Sequence, residues 1–376
     1  MPDGRDVIVG RRDIDTYVAF PADGAELLRR LQAGADLEEA GRWYRDRYGE
    51  TIDMADFLET LRELQFIRSP EEPDAPAARE QLSWQRLGRI VYSWPAWSLY
   101  VGICTWAVLL TAHHPSLRPR YESFFFTPSL LLTELGLFFG QLPGIFFHEA
   151  FHALAGRRLG VPTRLGLGNR LYILVFETDL NALWGVPRRS RYLPLLAGMV
   201  ADMIWWSALT ILAGLTGPHT FPGTLFLALA LSTLLRLAWQ FYFYLRTDVY
   251  QVLVTALRCV DLHRTTKEYL GNRTRRLFRR PARHDEGLWH PRDRQVARWY
   301  VHAFGLGYLF TLSVLAWFVV PLMMQVASGI AARLLTGAAL SPQFLDGCLA
   351  LLLNLVPPAT VAVMVLRRRR ARRTAN

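Results

Sequence analysis

Long apolar stretches dominate the chain from residue 95 onward. There are six of them, at about 95–112, 126–156, 193–215, 222–256, 302–326 and 344–366. A membrane-spanning helix needs ~20 predominantly apolar residues, and each stretch is long enough. The second and fourth exceed that length, so we expect those helices to tilt, bend or project from the bilayer. The pattern predicts a mainly α, polytopic membrane protein with about six transmembrane helices.

The first 70 residues follow a different pattern, one of short alternating runs. Two β-forming runs precede three amphipathic helical patterns, in the order 7–9, 17–20, 25–31, 36–48 and a helix that begins after Asp53. Asp36 and Asp53 stand where helix N-caps are expected. We expect Phe66-Ile67 to return as a closing strand. The order predicts a small N-terminal α/β domain with a winged-helix arrangement, followed by a proline-rich linker at 69–82.

Charge divides the chain at the same place. Residues 1–80 carry 11 Arg and 19 Asp plus Glu, a net charge of −8, whereas the whole chain carries +11, so the remainder carries +19. An acidic N-terminal domain is unsuited to contact phosphates, and the arginines of the remainder lie between apolar stretches. The distribution therefore predicts no nucleic-acid partner, and membrane lipid as the neighbour of the basic loops.

The basic residues also predict an orientation. The 157–192 loop, the 257–301 loop and the tail after Leu366 together hold 25 Arg and Lys, whereas the alternate loops hold only Arg118, Arg120 and Arg333. Cytoplasmic loops carry the excess of Arg and Lys. We therefore expect a multi-pass protein of the cell membrane with both termini in the cytoplasm.

A metal-binding motif ends the second apolar stretch. Residues 147–154 read FHEAFHAL, which contains H-E-x-x-H in a helical, apolar context. His148 and His152 are four residues apart, so they share one helix face and can bind one Zn²⁺. Glu149 lies beside them, placed to take a proton from zinc-bound water. Two imidazoles and a carboxylate in one turn would be costly against lipid unless they are paired or bind a metal. We expect one Zn²⁺ per chain.

A catalytic zinc requires a third protein ligand, which must come from elsewhere in the chain. The candidates are Asp248, Asp202, Asp179 and Glu177. Asp248 lies near the cytoplasmic end of the fourth stretch, at a depth similar to that of the histidines. Depth does not exclude Asp202, which begins an outward-running helix. Asp179 and Glu177 lie in a loop, where solvent accommodates them at little cost.

At these residues the chain resembles the site-2 protease family of intramembrane zinc metalloproteases, in its branch of peptide zinc metalloproteases. Three segments carry the resemblance: HEAFHALAGRRLGV at 148–161, TDLNALWGVPRRSRYLPLLAG at 178–198 and LRTDVYQVL at 245–253. The last is similar to the family's Asp-Gly-Tyr segment, whose aspartate is the third zinc ligand. The resemblance therefore implies Asp248 as that ligand, with Tyr250 in the place of the tyrosine.

The match departs from the family in two places. Val249 stands where the family has glycine, and the Asn-x-x-Pro that precedes the aspartate is missing. Gln240 lies roughly where that asparagine would help to hold the substrate backbone. The resemblance also implies that the stretch from Gly166 to Phe176 forms a strand or hairpin that pairs with extended substrate, although a plain loop strand is an equal expectation.

Two further acidic residues have open roles. Asp202 is a lone acid in an apolar stretch, and we expect it either to pair with an arginine such as Arg246 or to hydrogen-bond a ligand histidine. Asp179 is expected either to cap a turn or to contact substrate.

The N-terminal domain resembles the PqqD-like peptide-recognition domains of ribosomal peptide biosynthesis. The resemblance covers about 60 residues and includes the run ELLRRL at 26–31. It implies a peptide partner, and a ribosomally made, modified peptide as substrate. A membrane-anchored protein substrate is the other option, and the sequence predicts no oligomeric state.

Two functions follow as hypotheses. The first is a zinc metalloendopeptidase in which Glu149 moves protons and His148, His152 and Asp248 hold the metal. The second is a non-catalytic membrane binding or export component that retains a zinc site. We expect a PqqD-like domain at 1–70, a linker and juxtamembrane segment at 71–94, and a four-helix metalloprotease core at 95–256. A basic cytoplasmic loop at 257–301, two further transmembrane helices at 302–366 and a basic tail at 367–376 complete the expected organisation.

Overall fold

The computed structural model describes residues 2–3, 6–11, 16–67, 83–170 and 173–374, and within these ranges the protein is mainly helical. The helices are α1 Ala22–Gln32, α2 Leu37–Tyr48, α3 Met54–Glu63, α4 Gln85–Val91, α5 Trp94–His113, α6 Leu130–Arg158, α7 Arg188–Thr216, α8 Phe221–Trp239, α9 Asp248–Leu257, α10 Leu262–Leu277, α11 Pro291–Val314, α12 Val320–Thr336 and α13 Pro342–Thr374. Short 3₁₀ turns lie at Pro115–Leu117, Tyr121–Phe124, Asn181–Gly185 and Phe243–Leu245, and a π-helical turn at Leu315–Val319 joins α11 to α12. The strands are β1 Pro2–Asp3, β2 Asp6–Arg11, β3 Thr16–Pro21, β4 Arg164–Arg170 and β5 Ile173–Asp179.

An antiparallel sheet of order β1-β2-β3 and the helices α1 to α3 form the N-terminal unit. Val7 of β2 lies opposite Phe20 of β3 in the register, and both pack against Ala25 and Leu61 from the helices. The predicted capping by Asp53 is confirmed, because its carboxylate accepts a hydrogen bond from the Ala55 amide at 2.9 Å. This small core holds the sheet against the helices.

The predicted closing strand at Phe66-Ile67 is wrong, since neither residue joins a sheet. Gln65 takes the left-handed conformation, with φ 59°, and the Phe66 amide bonds back to the Leu61 carbonyl at 2.8 Å. This is a Schellman-type helix end, which turns the chain back over the helix. The Phe66 ring packs edge-on against Phe20, with the ring centroids 5.9 Å apart. Phe66 packs against the core instead of pairing in a strand, whereas Ile67 is exposed.

Five helical segments among the described residues are long and apolar enough to cross a membrane. They are Trp94–His113, Leu130–Arg158, Arg188–Thr216, Phe221–Trp239 and Pro291–Thr336. The sixth predicted stretch lies within the 33-residue helix α13. The fourth stretch bends, one of the outcomes expected from its length, because α8 ends at Trp239 and α9 begins only at Asp248.

Helices α6 and α7 pack closely through small residues. Ala155 of α6 and Ala197 and Ala201 of α7 are all fully buried in one cluster. Alanine and glycine at a helix interface let two backbones approach closely. Helix α7 is the most buried of the candidate spans, because 56% of the residues in its most apolar part are buried inside the protein. The close contact between α6 and α7 is where the site lies.

The last two helices are fixed to the start of α6. The Asp346 carboxylate of α13 accepts hydrogen bonds from the Leu130 and Leu131 amides at 3.0 and 3.2 Å, and it pairs with Arg333 of α12 at 3.0 Å. The first amides of a helix have no hydrogen-bond partner within the helix. A carboxylate at that end accepts their hydrogen bonds and interacts favourably with the positive end of the helix dipole. One carboxylate therefore joins α6, α12 and α13.

The N-terminal sheet contacts the chain segment between β5 and α7. Tyr17 of β3 packs with Val161, Leu183 and Leu195. The contact is close, because a Cβ added to Gly185 would lie 2.8 Å from Tyr17 Cε1. This places the N-terminal unit beside the end of β5.

Candidate metal centre

Helix α6 carries both imidazoles of the motif on the face that meets α7. His148 and His152 are 6% and 3% exposed. Their four-residue spacing stacks them one turn apart, and their Nε2 atoms are 3.2 Å apart. The motif therefore points two nitrogens at one position.

Asp248, the first residue of α9, completes the cluster. Its Oδ2 lies 3.3 Å from His148 Nε2 and 3.2 Å from His152 Nε2. Within the described residues, His148, His152 and Asp248 form the one group of three or more His, Cys, Asp or Glu whose ligand atoms lie within 4.8 Å of one another. Of the three candidate third ligands whose side chains the structure describes, Asp248, Asp202 and Asp179, the geometry favours Asp248.

The spacing of the three ligand atoms fits a zinc ion. Bonds of ~2.0–2.1 Å in a tetrahedron place neighbouring ligand atoms about 3.3–3.4 Å apart. The three separations here are 3.2, 3.2 and 3.3 Å. Two imidazoles and one carboxylate are also a ligand set typical of catalytic zinc, which keeps a fourth position for water or substrate.

A glycine lies directly against the cluster. A Cβ built on Gly198 of α7 would lie 2.3 Å from both His148 Nε2 and His152 Nε2, far inside contact distance. Only glycine lets the α7 backbone approach the imidazoles this closely. The glycine that ends the segment 178–198 therefore has a local steric reason.

The other ring nitrogens of the histidines are fixed by acceptors. His152 Nδ1 lies 2.7 Å from the Pro194 carbonyl, and His148 Nδ1 lies 3.1 Å from Asp202 Oδ2. A carbonyl can only accept, so His152 Nδ1 carries its proton and Nε2 keeps a lone pair for a metal. A carboxylate on His148 selects the same tautomer and makes the ligand more basic.

Asp202 is fully buried and also pairs with Arg236 of α8. The Arg236 Nη2 and Nε atoms lie 2.6 and 3.1 Å from Asp202 Oδ1. The expected pairing of Asp202 with an arginine is confirmed, but the arginine is Arg236 and not Arg246, which was given as an example. Arg246 lies in the turn before α9, whereas Arg236 projects from α8, which packs against α7. Both roles considered for Asp202, an ion pair and a hydrogen bond to a ligand histidine, are present together.

Glu149 is held by the hairpin that follows α6. Thr178 of β5 donates to Glu149 Oε2 at 2.8 Å, and its hydroxyl also lies 3.0 Å from the Glu149 carbonyl. Strand β5 pairs with β4 in the register Leu165 opposite Thr178. The hairpin predicted from the glycine-containing stretch thus supplies the residue that orients this carboxylate.

The break between α8 and α9 positions Asp248. The Gln240 side-chain oxygen accepts a hydrogen bond from the Asp248 amide at 3.2 Å, and the Thr247 hydroxyl donates to the Gln240 carbonyl at 2.6 Å. Gln240 and Thr247 are buried. Gln240 therefore fixes the start of α9, and its contact is with the protein backbone.

The remaining predicted residues lie around the cluster. The Asp179 carboxylate accepts from the Asn181 amide at 2.9 Å, which caps the turn as expected, and Asp179 also lines the cleft described below. The Tyr250 hydroxyl accepts from the His263 amide at 3.0 Å. The Glu177 side chain lies outside the part of the chain that the structure describes.

A cleft of about 670 Å³ opens onto the cluster. His152 and Asp248 lie in its wall, together with the end of the β4–β5 hairpin, the Asn181–Gly185 turn and α9. Trp184 and Arg191 also line a small neighbouring cavity, whose other side is formed by Ile8 and Ala19 of the N-terminal sheet. The sheet thus lies beside the cleft.

Comparison of the chain with protein-family models, with curated proteins and with solved structures finds no match.

Sequence reasoning missed Arg236 and Thr178. A signal for Arg236 was present, because it is the only charged residue of Phe221–Trp239 and Asp202 is a lone acid in another apolar stretch. Lone opposite charges in such stretches are expected to pair. Thr178 had no comparable signal, since one threonine in a strand is ordinary.

Proposed function

We propose that the protein is a zinc metalloendopeptidase of the site-2 protease type, embedded in a membrane. The observation that carries the proposal is the convergence of His148, His152 and Asp248, with Glu149 on the same turn of α6. Two of the three, His152 and Asp248, line an open cleft. A purely structural zinc site needs four protein ligands and no neighbouring carboxylate, whereas a catalytic one leaves a position free.

In the proposed peptide hydrolysis, some residues hold the metal and another transfers protons. His148, His152 and Asp248 would hold the zinc. Bound zinc supplies a Lewis acid that polarises the scissile carbonyl and lowers the pKa of water. The Glu149 carboxylate takes the proton of the attacking water and passes it to the leaving amine nitrogen. Thr178, bound to one Glu149 oxygen, leaves the other oxygen for that proton.

The surroundings of the cleft favour an extended peptide as the substrate. Among the described residues, β4 and β5 pair only with each other, so each keeps an outer edge for a further strand. Gly166 of β4 and Thr178 of β5 line the cleft. The N-terminal domain, proposed to be PqqD-like, lies beside the same cleft and would recruit the peptide. A ribosomally made, modified peptide or a membrane-anchored protein would enter in the same way.

The membrane placement is part of the proposal. Six transmembrane helices, with α13 as the last, return the chain to its starting side. The excess of Arg and Lys in the alternate loops and the tail assigns that side to the cytoplasm. The metal site then lies near the cytoplasmic face of the cell membrane.

A pair of matched substitutions in α6 tests the chemistry. Full-length protein in lipid nanodiscs is incubated with a proteome-derived peptide library, and mass spectrometry identifies new peptide termini. Glu149→Gln should retain zinc and lose the new termini by a factor of at least ~100, since proton transfer contributes 10²- to 10⁴-fold. Glu134→Gln, the same change in the same helix where Glu134 contacts Asn354, should retain both.

The same experiment distinguishes the proposal from a non-catalytic membrane component. New termini produced equally by Glu149→Gln would assign the cleavage to a contaminant. An intact transport or binding function in Glu149→Gln, with no termini from the wild type, would favour the binding or export role.

A further inference from the structure

A basic groove lies between α10 and α11, away from the metal centre. It has a volume of about 540 Å³, and its basic lining is Lys267, Arg275, Arg283 and His284. No described residue that lines it is a carboxylate. Lys267, Arg275 and Arg283 carry positive charge with no acid in the lining of the groove, which favours an anion there. His284 Nδ1 lies 3.8 Å from Oε1 of Glu268, a residue outside the lining.

One face of α10 forms the floor of this groove. Lys267, Leu270, Gly271, Thr274 and Arg275 follow one another at alternating spacings of three and one residues, which places them on a single stripe of the helix. Gly271 leaves the stripe open, because a Cβ added there would meet nothing within 4 Å. The groove therefore runs along the helix axis.

The wall that carries Arg283 and His284 is fixed in place. Asn272 is fully buried, and its Oδ1 accepts hydrogen bonds from the Arg283 and His284 amides at 3.0 and 3.1 Å. Its Nδ2 donates to the His284 carbonyl at 2.8 Å. Arg275 Nε donates to the Pro281 carbonyl at 2.8 Å. These bonds hold the loop against α10, so the cationic groups converge without a ligand.

The other end of the groove is apolar and lies at the start of the apolar part of α11. Phe304 and Tyr308 line it there. The helix is polar from Pro291 to Arg298, Trp299 is 48% exposed, and the chain is predominantly apolar from Ala303 onward. A tryptophan between a polar and an apolar segment is typical of the membrane interface. The groove thus joins the aqueous side to the hydrocarbon edge.

We propose that this groove binds the headgroup of an anionic phospholipid from the leaflet on the α10 side of the membrane. The phosphate would lie among Lys267, Arg275 and Arg283, where guanidinium groups match phosphate oxygens. The first part of an acyl chain would lie against Phe304 and Tyr308. Basic pockets beside transmembrane helices recognise anionic headgroups in this way. A free phosphate shares the headgroup chemistry, but it leaves the aromatic end of the groove unused. The inference rests on the membrane placement and does not depend on proteolysis.

The composition supplies a direct probe, because Lys267 is the sole lysine of the chain. Full-length protein is placed in nanodiscs of phosphatidylcholine, alone or with phosphatidylglycerol, and treated with an amine-reactive reagent. Digestion and mass spectrometry then give the rate at which Lys267 is modified. We expect phosphatidylglycerol to slow the modification of Lys267 at least ~5-fold. Addition of about 10 mM inorganic phosphate to phosphatidylcholine nanodiscs, at the same pH, should change the rate of modification little.

Paired variants separate a site from the general negative potential of the bilayer. Arg275→Gln with Arg283→Gln should lose the protection. Arg273→Gln with Arg280→Gln removes the same charge from exposed residues outside the lining and should retain it. Equal modification in the two lipids, or equal protection in the two variants, would overturn the proposal. Protection by inorganic phosphate alone would also overturn it and leave a simple anion site. Thermal melting of each variant verifies that it is folded.

Discussion

Gly198 brings the backbone of α7 against the Nε2 atoms of His148 and His152. We predict that Gly198→Ala disrupts the centre, because the added methyl would lie 2.3 Å from both nitrogens. Overpacking of this kind costs ~1–3 kcal/mol, so zinc affinity should fall by about 10- to 100-fold or more. Zinc affinity is measured by competition with a chromogenic chelator.

Gly305→Ala is the control for this change, because it also adds a methyl to a glycine in a candidate membrane helix. Nothing lies within 4 Å of the added Cβ at Gly305. That variant should bind zinc as the wild type does. Equal affinity in Gly198→Ala would contradict the proposed position of the metal.

Thr178 donates a hydrogen bond to the carboxylate of Glu149, the proposed proton carrier. We predict that Thr178→Val lowers kcat by about tenfold or more, because a hydrogen bond to a charged group contributes ~1.5–3 kcal/mol. KM and zinc content should change little, since neither ligands nor cleft shape is altered. Thr178→Ser should restore kcat. A loss that serine does not rescue would show that the valine acts through packing.

At this scale the sequence predicted the members of the His148-His152-Asp248 cluster better than the residues that surround it. The H-E-x-x-H spacing follows from helix geometry, so His148 and His152 were predictable from local pattern alone. The choice of Asp248 among four acids needed the tertiary arrangement or the family resemblance. Pro194, whose carbonyl orients His152, was not predictable, because a backbone acceptor leaves no side-chain signal.

Among the elements, α13 is joined to the start of α6 by Asp346. We predict that Asp346→Asn destabilises the protein by ~1–3 kcal/mol, because it removes the charge that pairs with Arg333 and weakens the bonds to the Leu130 and Leu131 amides. The measurement is thermal melting in detergent. Zinc content should not change. Asp285→Asn, at an exposed loop residue, should leave the melting temperature within error.

The α10–α11 hairpin should respond to acid through His263. Burial, with Lys267 and Arg246 nearby, lowers the pKa of His263 to about 4 from its ordinary 6.5, against the opposing effect of Asp261. The unfolded chain therefore binds this proton more readily than the folded protein. The folded protein therefore keeps its full stability with respect to His263 above pH 6.5, and it loses stability as the pH falls towards 4. The melting temperature should fall more steeply over this range in the wild type than in His263→Phe, and parallel curves would contradict the account.

Some predictions of helices, caps and strands were confirmed and one was wrong, depending on whether the feature is set by local chemistry or by tertiary packing. Capping by Asp53 and the two longer N-terminal strands follow from local chemistry and were predictable. Phe66-Ile67 failed as a strand because apolar character does not distinguish pairing from packing. The length of the fourth stretch predicted a bend as one possible outcome. The position of the bend at Gln240 depends on hydrogen bonds to Thr247 and Asp248, which lie several residues further along the chain.

For the whole molecule, the division into an acidic N-terminal unit and a basic, apolar remainder was visible in the charge pattern. The place of the N-terminal sheet beside the cleft was not, because the contact between Tyr17 and Gly185 joins residues far apart in sequence. That contact gives the proposed peptidase a route by which one domain could present substrate to the other.

The central claim is that His148, His152 and Asp248 bind one catalytic metal ion, and metal content tests it most directly. Full-length protein is purified in detergent, supplied with zinc, freed of excess and analysed by inductively coupled plasma mass spectrometry. We predict one zinc per chain in the wild type and in the control Asp346→Asn, and loss of zinc in His148→Ala and Asp248→Asn. Asp202→Asn should retain the site with ~10- to 100-fold weaker affinity. Zinc retained in Asp248→Asn, or no zinc in the folded wild type, would contradict the account.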